Sequence, residues 1–351
     1  MSDNKRLLLV GSTKSDVHLR NYHNLIKDYF DEILVVCSHP IDFAKCKTLD
    51  FGLKNPLKLR NSILSLRKII QSFKPSVIHA HQANSVGYIT SKANNTNIPQ
   101  VLTIWGSDVL ILPNQGRFYR YIVKTALKSS DHITADTSFI ENNIEALVGK
   151  VKFNTANFGI DLPNIDVDSE KKEKIIYSNR LHDSLYNIDQ IIEGFSSFIE
   201  EYPGWKLIIG GKGPLTKELK QKCSTLLPKD SFRFVGFVDY DTNMSLYQRA
   251  SIYISIPASD GTSMSLLEAM ACGTIPVVSD LPANHEWIQH NQNGIIVNNS
   301  VERALFYASK LKIASVSKLN RKIIETKATK TANKAIFCNI YDALINVPHV
   351  S

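Results

Sequence analysis

Short apolar runs bounded by polar residues recur along the chain, with amphipathic stretches between them. In the first half the runs lie at 6–11, 32–38, 76–81, 100–106, 132–136 and 151–158. Most are nearly continuous in apolar residues, the pattern of strands buried on both faces. A helix is predicted to open at Asn55-Pro56, a cap residue followed by proline at the first helical position. Its Leu57, Ile63, Leu66, Ile69, Ile70 and Phe73 keep helical spacing. The alternation lapses after Phe158, and the charged stretch from Asp166 to Lys174 reads as a linker. It resumes with strands predicted at 174–180, 206–211, 232–237, 251–256, 275–280 and 294–298. Helices are predicted at 187–202, 216–225, 242–250, 263–272 and 283–289, and the pattern is helical beyond Asn298. Strand–helix alternation implies parallel sheets covered by helices. The fold class is therefore α/β, two doubly wound domains in tandem, with the cleft at the carboxyl ends of the strands as the expected ligand site.

Composition narrows the class. A chain of 351 residues, 43% apolar and 21% charged, has the profile of a globular protein with two domains. No apolar run approaches the roughly 20 residues of a membrane-spanning helix. Met1-Ser2-Asp3-Asn4-Lys5-Arg6 leads into too few apolar residues for a signal peptide. The five cysteines (Cys37, Cys46, Cys223, Cys272, Cys338) are odd in number and form no Cys-x-x-Cys. That argues against a disulfide framework or a zinc site and for a reducing, cytoplasmic location. Charge is uneven: residues 1–163 hold 20 Lys and Arg against 13 Asp and Glu, and residues 164–351 hold 21 against 20. A basic first half suits an anionic partner, or simply solubility. Lys54, Lys58, Arg60, Arg67, Lys68 and Lys74 follow one helical region without interleaved aromatics. An anionic membrane surface at the inner face fits this better than nucleic acid, which is not expected as a partner; a solvated helix face is the plain alternative.

Candidate chemistry is densest in Ser259-Asp260-Gly261-Thr262-Ser263-Met264-Ser265-Leu266-Leu267-Glu268-Ala269-Met270-Ala271-Cys272-Gly273, between a predicted strand and helix. Small polar residues at a helix start leave backbone N–H groups free for an anion such as a diphosphate. Asp260 and Glu268 flank that cradle and can accept hydrogen bonds from sugar and ribose hydroxyls. On the residues alone, a capping box at Ser265 to Glu268 and a turn at Asp260 explain the segment equally well. Two Asp-x-Asp pairs, Asp166/Asp168 and Asp239/Asp241, are strings of the kind that can hold a divalent metal. The first lies in the linker, and Asp241-Thr242 also reads as a helix start; no metal is expected.

The 259–273 segment, followed by Ile275-Pro276-Val277-Val278-Ser279-Asp280, resembles the signature of glycosyltransferase family 4: a carboxylate, a Gly-rich turn, Glu-Ala-Met-Ala-Cys-Gly and a Pro-Val-Val strand. The first carboxylate, usually Glu, is Asp260. Trp105-Gly106-Ser107-Asp108 and Ser259-Asp260-Gly261-Thr262-Ser263 resemble one subgroup, as does the stretch from Pro282 to Ile288. Val77-Ile78-His79-Ala80-His81 is similar to the family's His-rich strand end. Many relatives carry a histidine where Trp105 stands, so that role is not transferred. Ser178-Asn179-Arg180-Leu181 matches the family's diphosphate-binding Arg, but Leu185 stands where a Lys is usual, and Lys212 is the proposed substitute.

The resemblance implies a GT-B fold of two Rossmann-like domains. The first, 1–163, is the acceptor side; the second, 164–330, binds the nucleotide-sugar; residues 331–351 form a helix returning to the first. It implies a retaining transferase moving a hexose or N-acetylhexosamine, UDP-sugar being the expected donor, to a glycan or lipid-linked acceptor in bacterial surface glycan synthesis. No cofactor is required beyond the nucleotide-sugar as co-substrate. Arg180 and the segment Gly261-Thr262-Ser263-Met264-Ser265 hold the diphosphate; Asp260 binds the donor sugar, and Glu268 the ribose. Gly236 and Phe237 lie in a turn enclosing the base. Gly11 and Ser12, in the first loop, approach the diphosphate, where a small residue is needed. Asp108 and His81 sit near the reacting centre, with His18 toward the acceptor. His79 and His81 are expected to differ in facing, with His81 on the ligand side. A nucleotide-sugar epimerase of the same architecture and a catalytically silent binding subunit are the alternatives.

Overall fold

A computed structural model describes residues 4–11, 17–165 and 172–346. Ser12 and Thr13 of the first loop, and the Asp166/Asp168 pair, lie outside the described residues. The chain forms two compact units, residues 1–158 with 333–351, and residues 159–332.

In the first unit seven parallel strands are ordered β3-β2-β1-β4-β5-β6-β7. They are β1 (Arg6–Val10), β2 (Glu32–Cys37), β3 (Cys46–Thr48), β4 (Val77–His81), β5 (Gln100–Ile104), β6 (His132–Ala135) and β7 (Phe153–Thr155). The connecting helices are α1 (Val17–Ile26), α2 (Pro56–Phe73), α3 (Ser85–Ala93), α4 (Ser107–Leu110), α5 (Arg117–Lys128) and α6 (Phe139–Val148). The expected cap is present: Asn55 Oδ1 accepts from the N–H groups of Leu57 and Lys58 at 3.0 and 3.1 Å. Leu66, Ile70, Val86, Ile89, Val123, Ala126, Ile140 and Ile144 build one core, so α2, α3, α5 and α6 cover one sheet face.

The second unit has a six-stranded parallel sheet ordered β10-β9-β8-β11-β12-β13. Its strands are β8 (Glu173–Ser178), β9 (Lys206–Gly210), β10 (Phe232–Gly236), β11 (Ala250–Ser255), β12 (Ile275–Ser279) and β13 (Ile295–Val297). The helices are α7 (Ile188–Glu201), α8 (Thr216–Leu226), α9 (Tyr240–Arg249), α10 (Met264–Ala271), α11 (Pro282–His285), α12 (Val301–Lys310) and α13 (Ile313–Lys327). Apolar side chains of α7, α8 and α12 fill one face, and those of α9 and α10 the other. The last helix, α14 (Lys330–Ile345), belongs to the first unit from Asn333 onward. There Phe337, Ile340 and Tyr341 pack with Leu7, Leu9, Leu19 and Tyr22 on the face that α1 also covers.

Every expected strand is present within a few residues. β3 was not expected: it is a three-residue edge strand, half-buried at best, with no apolar run. The expected helix at 283–289 is the single turn α11. The first unit ends at Phe158 rather than 163, because residues from Gly159 on run beside the end of α13: Ile160 N–H donates to Ala328 O at 2.8 Å and Lys330 N–H to Ile160 O at 3.0 Å.

Candidate functional site

The carboxyl ends of β8 and β11, neighbours in the sheet, bring the strongest candidates together. Arg180 lies two residues beyond β8, and its guanidinium donates to Asp260 Oδ2 at 2.7 Å and to Ser263 Oγ at 2.5 Å. Its side chain is 12% exposed, and its guanidinium lies 4.6 Å from the centre of the Tyr186 ring. Asp260 Oδ1 also accepts the Gly261 N–H. Ser263 is the N-cap residue of α10, yet its hydroxyl caps no helical N–H and serves Arg180 instead. The first-turn amides at Met264 and Ser265 are those a helix cannot satisfy internally, so they and the helix dipole offer an anion site beside a fixed cation. Thr262 stands at the same turn, its hydroxyl 3.4 Å from the Trp287 indole nitrogen.

Glu268 is one turn further along α10, and burial lifts its carboxyl to about 7. Asn243 Nδ2 donates to it at 3.4 Å and is itself grouped with Tyr177 and Asn179. Asp239 is consumed structurally: its Oδ1 caps α9 by accepting the Thr242 N–H at 2.8 Å. The helix start expected at Asp241 therefore lies slightly earlier.

A cavity of about 340 Å³ opens beside this centre, lined by His182, Gly211, Lys212, Thr216, Phe234 and Gly236. Its wall is tight. A Cβ on Gly211 (φ +95°) would stand 2.3 Å from Arg180 O, and one on Gly213 would stand 2.4 Å from His182 O. Only glycine lets these two turns touch. His182 is fully buried, its Nε2 donating to Gly210 O. Lys212 is exposed at the mouth, with its Cε near Gly236, and the Phe237 ring is 77% exposed.

The first unit places its candidates differently from expectation. His79 and His81 lie on the same face of β4, ring centres 4.9 Å apart, because residues two apart on a strand share a face. Both are buried. His79 is locked in a network: its Nδ1 meets the hydroxyls of Tyr22 and Tyr341, which also bond to each other, and its Nε2 meets Thr103 Oγ1 at 2.7 Å. His81 is 1% exposed with neither ring nitrogen bonded, and burial pushes it down to about 3. It packs between Tyr22 and Trp105, and Trp105 in turn meets His18 at 4.4 Å between ring centres. Asp108 is buried, 3% exposed. Its carboxylate accepts the N–H groups of Ala83 at 2.7 Å and Trp105 at 3.1 Å, tying the turns after β4 and β5 together. Burial still lifts it to about 6. Gly11 is small for a packing reason: a Cβ there would meet Leu19 of α1 at 2.5 Å.

Sequence reasoning missed Tyr186, His182 and Asn243. The first two flank Leu185, the position where the family pattern has a lysine, and no motif marks Asn243.

Comparison with known proteins follows this geometry. Residues 162–329 match the family Glycosyl transferases group 1, and residues 6–137 match Glycosyl transferase 4-like. A glycosyltransferase of Methanocaldococcus jannaschii is 34% identical over 110 residues, covering 31% of this chain and 28% of that protein. The alpha-monoglucosyldiacylglycerol synthase of Streptococcus pneumoniae is 24% identical over 226 residues, covering 60% and 47%. The chain thus spans less than half the length of either relative. The crystal structure of HepE from Anabaena in complex with UDP superposes with a TM-score of 0.78 at 15% identity, over 95% of this chain and 99% of that one. That likeness establishes the GT-B fold. The first unit thus carries the Glycosyl transferase 4-like match and the second unit the Glycosyl transferases group 1 match, each on its own Rossmann-like sheet.

Proposed function

We propose that the protein is a retaining glycosyltransferase that moves a hexose or N-acetylhexosamine from a UDP-sugar to a glycan or lipid-linked acceptor in bacterial surface glycan synthesis. The observation that carries the reading is Arg180, a mostly buried cation held by Asp260 and Ser263 at the start of α10. A guanidinium has five N–H donors, so two bonds leave others for phosphate oxygens. The leaving diphosphate gains charge as the glycosidic bond breaks, and fixed donors lower that barrier. Asp260 takes donor-sugar hydroxyls and Glu268 the ribose. The base sits at the turn of Gly236 and Phe237, where the exposed ring offers a stacking face, with Lys212 as the second cation. Neither metal nor cofactor is assigned a role. The relative named for a glucosyl-diacylglycerol, and the structural neighbours solved with UDP and with UDP-glucose, support a lipid-type acceptor and this donor class. Five free cysteines suit a cytoplasmic location. No helix among the described residues is long and apolar enough to cross a membrane.

A thermal-shift screen against UDP, GDP, CMP and their sugars tests this. A nucleotide at a hundredfold over its dissociation constant adds about 2.7 kcal/mol to stability. UDP should raise the melting temperature, and Arg180→Ala should abolish the rise and cut sugar transfer by roughly a hundredfold or more. No rise with any nucleotide would leave the protein a silent binding subunit.

A further inference from the structure

The helices α2, α3 and α5 stand side by side on one face of the first unit's sheet. Arg67 of α2 donates to Lys92 O of α3 at 2.9 Å, and the rings of Tyr88 of α3 and Tyr121 of α5 meet at 6.1 Å. None of the three helices contains Asp or Glu. Between Asp50 and Asp131 the only carboxylate in the chain is Asp108, which is buried against two backbone N–H groups. Over the same stretch α2 carries Lys58, Arg60, Arg67 and Lys68, α3 carries Lys92, and α5 carries Arg117, Arg120, Lys124 and Lys128. Among the described residues, none of these cations is paired with a carboxylate.

Large apolar side chains stand exposed among them. Leu57 at the start of α2 is 71% exposed, Ile111 before α5 56%, Phe118 54% and Tyr121 53%. On α5, Ile122, Val123, Ala126 and Leu127 face the core, and Phe118 and Tyr121 keep more than half of their surface exposed, Tyr121 touching Tyr88 at one side. A face that is acid-free, basic and studded with exposed rings has the composition of an interfacial surface: cations meet lipid phosphates while apolar side chains enter the acyl boundary. Binding to a purely hydrophilic polyanion would give Leu57, Ile111 and Phe118 no partner. The chain also links this face to the strand ends, since β5 runs through Trp105, Gly106, α4 and a 3-10 turn at Leu112–Asn114 into α5.

We propose that the α2–α3–α5 face docks on an anionic phospholipid bilayer, with Phe118 and Tyr121 inserted and Arg117 and Arg120 on the headgroups. Its catalytic meaning rests on the transferase reading above; the docking itself does not. The test is co-sedimentation of the full chain with vesicles of phosphatidylcholine, with and without phosphatidylglycerol. Binding is expected only with phosphatidylglycerol and should weaken as salt is raised. Arg117→Gln and Arg120→Gln should each lower affinity about fivefold. Phe118→Ser with Tyr121→Ser should lower it further, while the UDP-induced thermal shift stays intact in every variant. Equal binding to both vesicle types, unchanged binding in the aromatic variant, preferential binding of duplex DNA, or a dimer dissolved by the aromatic variant would each overturn the proposal. Vesicle binding without any nucleotide shift would instead sink the transferase reading and leave this one standing.

Discussion

Glu268 and Asp108 are both carboxyls raised by burial, to about 7 and about 6, yet their surroundings give them different work. Asp108 spends its oxygens on the N–H groups of Ala83 and Trp105. In Asp108→Asn the amide nitrogen cannot accept, so one N–H loses its partner. The variant should lose about 1–3 kcal/mol in urea denaturation, with UDP binding unchanged. Glu268 has only the long contact from Asn243 and keeps lone pairs for a ligand. A carboxyl whose folded pKa lies above its usual value favours the folded state below that usual value, and the advantage disappears as pH rises through about 7. In the proposed donor site its anion is the form that accepts ribose hydroxyls. The UDP-induced shift should therefore grow as pH rises through about 7, and Glu268→Gln should flatten that dependence. Identical profiles for both proteins would remove Glu268 from the ribose.

At the scale of elements, α14 carries the sharpest energetic prediction. Phe337 is 1% exposed and packs edge-on against Tyr22, ring centres 5.0 Å apart. Phe337→Ala should destabilise the protein by about 3–5 kcal/mol, measured by urea denaturation. A cost near zero would mean that α14 is not packed on the sheet. Most elements were legible locally: near-continuous apolar runs mark doubly covered parallel strands, and Asn55-Pro56 marks the start of α2 with its cap. The three-residue edge strand β3 left no such mark. The return of α14 to the first unit was carried by the family resemblance alone, since its 3.6-residue period identifies a helix but not the sheet it covers. Within the sites, the motif singled out Asp260, Ser263 and Glu268, while Tyr186 and Asn243 matter only through neighbours distant in the chain.

For the molecule as a whole, the two buried histidines of β4 make the first unit acid-sensitive. Burial holds His79 well below 6.5 and His81 at about 3. As pH falls below about 6.5 the unfolded chain takes up protons that the folded unit refuses, so stability falls, by up to about 1.4 kcal/mol per pH unit for each histidine. The protection of the β4 and β5 amides, taken relative to their intrinsic exchange rates, should fall over that window toward about pH 3, and His81→Phe should reduce the slope. A slope unchanged in His81→Phe would show that this ring is not the sensor. The sequence by itself determined the alternating strands and helices, the division into two α/β units and the small, polar character of the segment that opens α10. Those follow from local periodicity and residue type. Only the tertiary structure decided that Arg180 meets Asp260 and Ser263, 80 and 83 residues away, and that Asp108 serves the backbone. The physical reason is strand order. β8 hydrogen-bonds to β11, with β9 and β10 lying to the other side of β8, and no local pattern encodes which strand ends become neighbours.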